Sequence, residues 1–142
     1  MAQKVTVIVE KGKGDMNFSC FVADELPGFG LAGYGRTAQE AMDDLYVAQE
    51  ETREILAERG ETMPELEFTF KFDVGAFFDY YPLNISAFAK YIGMNAAQLR
   101  QYASAVKEPR QATLNKIHAG MKKFLADIGT VPLIERPVLT YP

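Results

Sequence analysis

One spacing constrains this chain more than any other: Ala89, Gly93 and Leu99 stand four and then six residues apart in SAFAKYIGMNAAQLRQYA. Ser86 to Ile92 reads as a short amphipathic helix, with Asn84 or Ser86 as its N-cap. A small residue at Ala89 lets a second helix come close. Gly93 tolerates the φ > 0 that a tight turn requires. Asn95 then caps a helix from Ala96 to about Ala103, with Leu99 facing back into the core. Phe88, Ile92, Met94 and Tyr102 fill the remaining inward positions. Together these predict a helix-turn-helix, the arrangement that lays its second helix in the major groove of duplex DNA.

On that reading Asn95, Ala96, Ala97, Arg100, Gln101 and Ser104 enter the groove. Arg100 suits guanine and Gln101 suits adenine, because each side chain presents paired groups that match one base edge. Ala96 and Ala97 allow close approach or touch a thymine methyl. Lys90, Lys107 and Arg110 flank the helix as candidate phosphate contacts. The competing reading is a helical unit that only dimerises, with each of these charges simply solvated.

The flanks extend the pattern. Val74 to Tyr80 supplies a preceding helix, ended by Pro82. Leu114, Ile117, Met121, Leu125 and Ile128 mark the inner stripe of a long closing helix. Lys107-Glu108-Pro109 resembles the Gly-Lys-x-x-Pro that follows recognition helices in the Cro and phage-repressor family, with Ala105 or Val106 in the glycine's place. The tail from Val131 to Pro142 is apolar and proline-rich, suited to packing on a neighbouring subunit.

The first half reads differently. Lys4 to Lys11 places Val5, Val7 and Val9 on one face of a strand. Gly12 to Asp15 reads as a turn into a second strand, Met16 to Ala23, and Leu31 to Gly35 as a short third. Thr37-Ala38-Gln39-Glu40 is a capping box: Thr37 accepts the N–H three residues on, and Glu40 reaches back to the Thr37 N–H. Ala41, Leu45, Ala48, Thr52 and Leu56 follow at helical spacing until Gly60. Leu66 to Phe72 alternates, with Phe68, Phe70 and Phe72 on one side. The predicted class is α+β: a β-β-β-α-β unit (residues 1–72), an all-α helix-turn-helix domain of about five helices (73–130), and a tail (131–142).

The run FSCFVADELPG followed by GYGRTAQEAMDDL resembles the N-terminal domain of the HicB antitoxin family. The matching residues are Asp24, Leu26, Pro27, Gly28, Gly33, Gly35, Thr37, Glu40 and Ala41, with Glu25 inserted between Asp24 and Leu26. The resemblance covers residues 4–72. It implies a partial ribonuclease-H-like fold without nuclease activity, and a small basic HicA-like toxin that cleaves messenger RNA as partner. Asp24, Glu25, Leu26 and Pro27 are then the candidate toxin contacts.

Charge agrees from an independent direction. Residues 1–67 hold 6 Lys+Arg and 14 Asp+Glu, a balance of −8; residues 68–142 hold 9 and 5, a balance of +4. The first half suits a basic partner and the second an anionic one.

At 142 residues and 48% hydrophobic, the chain can bury a core. No apolar run approaches the ~20 residues of a membrane span, and no basic-then-apolar leader opens the sequence. Cys20, the single cysteine, reads as a buried inert thiol and fits a cytoplasmic setting.

No cofactor or metal site is expected. His118 has no ligand-spaced partner, and Asp15, Asp24, Glu25, Asp43 and Asp44 read as solvated acids. The sequence therefore points to a non-enzymatic antitoxin and operator-binding repressor, acting as an even-numbered oligomer. A stand-alone transcription regulator is the alternative, and a metal-dependent nuclease built on those acids is a third reading.

Overall fold

The computed structural model describes residues 2–12 and 17–135. Residues 13–15 of the turn expected from Gly12 to Asp15, Met16, the expected start of the second strand, and residues 136–142 of the tail lie outside them. The described residues form a four-stranded sheet and five helices, an α+β arrangement. The strands are β1 (Gln3–Lys11), β2 (Phe18–Val22), β3 (Ala32–Gly35) and β4 (Leu66–Phe72). The helices are α1 (Ala38–Glu58), α2 (Val74–Tyr80), α3 (Ile85–Ile92), α4 (Ala96–Ala103) and α5 (Gln111–Gly129). Four helices follow the sheet, not the expected five or so.

The sheet order is β3-β2-β1-β4, with β1 antiparallel to β2 and parallel to β4. Register brings Val5, Val7 and Val9 beside Phe68, Phe70 and Phe72, and Val9 beside Cys20, on the face that α1 covers. Helix α1 buries Ala41, Met42, Leu45 and Leu56 there. It lies so close to β3 that a Cβ at Gly33 would run into the main chain of Ala41 and Leu45. Glycine is thus required by contact, not by φ. At the start of α1, Thr37 accepts the Glu40 N–H at 3.1 Å as expected, but the Glu40 carboxylate accepts from Arg36 at 3.0 Å, not from Thr37.

A second core forms around Phe88, Ala89, Leu99, Tyr102 and Ile117, joined by Met121 and Phe124 of α5. The expected inner stripe of α5 holds for Ile117 and Met121, while the half-buried Leu114 lines a cavity instead. Leu125 and Ile128 are 58% and 50% exposed. Phe124 takes the inward place, ringed edge-on by Phe88 and Tyr91.

Helix α2 joins the cores. Ala76 and Tyr80 pack in the first, Val74 and Phe78 in the second. Asp73 caps α2 at Ala76 (2.8 Å) and also accepts the Lys11 N–H at the end of β1 (3.2 Å). Partial burial holds its carboxyl above the usual range, against these two N–H donors that favour the charge. At the other end Asp79 accepts the Ala38 N–H at the start of α1, at 2.8 Å.

Three helices end in the same six-to-one closure: Glu61 N–H to Leu56 O, Met94 N–H to Ala89 O, and Val106 N–H to Gln101 O. The left-handed residue is Gly60 in the first and Gly93 in the second, but Ala105 (φ 61°) in the third. Ala105 therefore occupies the place where glycine is expected after α4. Its Cβ crowds the carbonyl at that φ, which costs about 1 kcal/mol. Ala105→Gly should raise stability by about that amount, a gain of ~3 °C in Tm by calorimetry. A loss of stability would mean that the Ala105 methyl packs better than its backbone strains.

Candidate nucleic-acid interface

The α3–α4 pair is built as its residues dictate. Asn84 caps α3 through the Ala87 N–H (2.9 Å), and Asn95 caps α4 through the Gln98 N–H (3.1 Å). Between them Gly93 (φ 74°, ψ 38°) reverses the chain in the left-handed region. Ala89 and Leu99 are both fully buried where the two helices meet. Lys116 of α5 donates to the Gly93 carbonyl at 2.9 Å, a cation at the C-terminal end of α3.

With Leu99 inward, helical spacing turns Ala97, Arg100, Gln101 and Ser104 outward, and all four are exposed. Arg100 does not hang free. Its Nη1 donates to Ser86 Oγ in the first turn of α3, at 2.7 Å. That bond directs the guanidinium along the two-helix surface. Ser104 donates to the Gln101 carbonyl at 3.3 Å. Asn95 spends its side-chain oxygen on the cap, and Ala96 is half-buried in the second core. These two are therefore less available to a partner than the outward four.

Lys90, Lys107 and Arg110 are exposed. Among the described residues the one ion pair is Arg53–Glu50 on α1, at 3.4 Å. Among the described residues the cations of the second half therefore have no carboxylate within ion-pair distance. Lys123 lies over the Tyr91 ring at 5.1 Å. The Tyr91 hydroxyl bonds to Asp127, which pushes the phenol up to about 12.

Arg100, Gln101 and Ser104 line a shallow groove whose other wall comes from the sheet unit, through Lys11 and Phe18. Sequence periodicity does not show this wall. Ser86 and Lys11 were not anticipated, since each meets α4 only through tertiary packing. A separate, more enclosed cavity of about 460 Å³ lies between α2, α5 and the α4–α5 loop, lined by Phe72, Phe77, Tyr102, Lys107 and His118 among others.

The candidate toxin contacts divide in two. Asp24 accepts the Thr6 N–H at 2.5 Å and clamps the end of β2 to β1, while Leu26 packs on the first core. Glu25 and Pro27 face solvent. The acids are committed separately: Asp43 accepts from Gln39 Nε2 (2.9 Å) and Asp44 from the Tyr34 N–H (2.9 Å). Asp44 thus ties β3 to α1 as a structural acceptor, while Asp43 stands exposed on α1. Asp15 lies outside the described residues. Cys20 donates to the Ala41 carbonyl at 3.0 Å, and burial pushes its thiol up to about 11, away from nucleophilic use at neutral pH. No helix among the described residues is long and apolar enough to cross a membrane.

Comparison with family models, curated proteins and solved structures gave no match to this chain.

Proposed function

We propose that this protein binds duplex DNA through a helix-turn-helix made of α3 and α4, and that it acts as the antitoxin and operator repressor of a toxin–antitoxin module. The DNA-binding part rests on one observation above the others: the left-handed turn at Gly93 and the Asn95 cap present Ala97, Arg100, Gln101 and Ser104 outward, backed by a fully buried Leu99. The Arg100 guanidinium oriented by Ser86, with the Gln101 amide beside it, supports that reading. On this reading Gln101 and Arg100 read base edges, and Lys90, Lys107 and Arg110 hold phosphates.

The antitoxin part rests on the HicB-like motif and on the −8 balance of residues 1–67. Glu25 and Pro27, exposed beside the Asp24 clamp, are the contacts it offers a basic HicA-like toxin. The chain itself catalyses nothing on this view. Two half-sites on DNA need two copies, and the exposed Leu125, Ile128, Val131, Leu133 and Ile134 offer apolar surface for the second.

The test is selection of duplexes from a random pool by the full-length chain. The enriched sequence should carry two related half-sites about 10 base pairs apart, one helical turn. Co-purification with a small basic ribonuclease, lost in Glu25→Lys, tests the toxin arm. A pool that never enriches removes the repressor; a toxin that never co-purifies leaves the stand-alone regulator.

A further inference from the structure

The groove beside α4 extends the interface beyond the two-helix unit. We infer that Lys11, at the end of β1, contacts the phosphate backbone of DNA lying on α4, so that the sheet unit itself belongs to the DNA interface. This inference rests on the DNA-binding reading above.

The placement follows from local contacts. The Lys11 main chain is fixed from two sides, since its N–H is held by the Asp73 carboxylate and the next strand pairs it with Phe18. Gly75 makes the approach to α4 possible. A Cβ there would stand 2.8 Å from the Lys11 Cβ and 3.1 Å from the Ala103 carbonyl oxygen. With only hydrogen at that point, the Lys11 stem and the last turn of α4 close on the same residue. The ammonium lies over the Phe18 ring at 5.1 Å, and both residues line the same groove as Arg100, Gln101 and Ser104.

The charges in the groove favour an anion that crosses it. Lys11 and Arg100 both line it, and among the described residues neither has a carboxylate within ion-pair distance; the Asp73 carboxylate that holds the Lys11 N–H also attracts the Lys11 ammonium from outside the groove. Asp79, the carboxylate that lines the groove, accepts the Ala38 N–H. Lys11, braced on the Phe18 ring at the edge of the groove, suits a phosphate of the strand that runs beside the base-reading Arg100 and Gln101. A lysine held this way carries no sequence information; it adds a contact common to all duplexes.

The experiment uses the full-length chain, the selected duplex and a scrambled duplex, titrated across a salt series. Lys11→Met keeps the stem on Phe18 and removes the charge. It should weaken both duplexes by the same factor, about fivefold, and flatten the slope of log affinity against log salt by about one. Lys11→Arg should restore the slope. Lys11→Gln should repeat the loss, guarding against a packing fault specific to methionine. The inference fails if Lys11→Met and Lys11→Gln keep the parent affinity and slope while Lys107→Ala lowers both. DNA then lies on α4 without touching the sheet. If the parent chain binds neither duplex at any salt, the DNA-binding reading falls and this inference with it.

Discussion

Gly33→Val should be the most damaging single change in the sheet unit, costing at least ~3 kcal/mol and about 10 °C in Tm. The reason is the main chain on the other side of the contact. A Cβ at Gly33 meets the Ala41 carbonyl and the Leu45 nitrogen, which cannot swing aside as a side chain would. Helix α1 would have to lift from β3, opening the layer that holds Cys20, Leu45 and Val7 fully buried. Gly30→Ala is the control. A Cβ at Gly30 meets nothing within 4 Å, and its effect should stay near ~0.5 kcal/mol. Calorimetry on the pair decides the matter. Equal losses would mean that the close approach of α1 is not what glycine serves at Gly33.

Leu99→Ala should cost ~2–5 kcal/mol, since it empties the centre of the second core. Leu99 is fully buried among Phe88, Ala89 and Tyr102. Because α2 places Ala76 in one core and Phe78 in the other, unfolding should remain a single transition. Amide exchange would report it: protection in β1 should fall along with protection in α4. If only α3, α4 and α5 lose protection while β1 keeps it, the two cores are independent and α2 does not couple them.

What could be read from sequence was local. The Gly93 turn, the Asn95 cap and the buried Leu99 depend on residues within ten positions of one another, and each stands as expected. The strand Leu66–Phe72 was legible because its alternation is uninterrupted. Failures came where a residue's partner is remote. Asp24 bonds to Thr6 and Asp79 to Ala38, and Lys11 comes to the same glycine, Gly75, as the end of α4, all through folding. Gly33 and Gly35 read only as members of the short third strand and of the HicB-like motif, yet their role is set by the backbone of α1.

In α5 the error was angular. At about 100° per residue, Phe124 returns to within ~20° of Ile117, while Leu125 lies ~80° away. Ile128 is close to in line, but the second core ends at Phe124, so it has nothing to pack on. The candidate site was thus legible as a list of outward residues on α4. Its second wall, from β1 and β2, was not.

On the proposed function the outer surface of α4 reads base sequence. The most direct measurement is equilibrium binding of the parent chain, Gln101→Ala and Lys107→Ala to the selected duplex and to its scrambled counterpart. Gln101→Ala removes no charge, so it should cost ~1–3 kcal/mol on the selected duplex and little on the scrambled one. Lys107→Ala should weaken both alike and flatten the salt slope by about one. Discrimination that survives intact in Gln101→Ala, with Arg100→Ala weakening both duplexes equally, would contradict the claim: α4 would then touch only the DNA backbone, and the sequence would be read elsewhere.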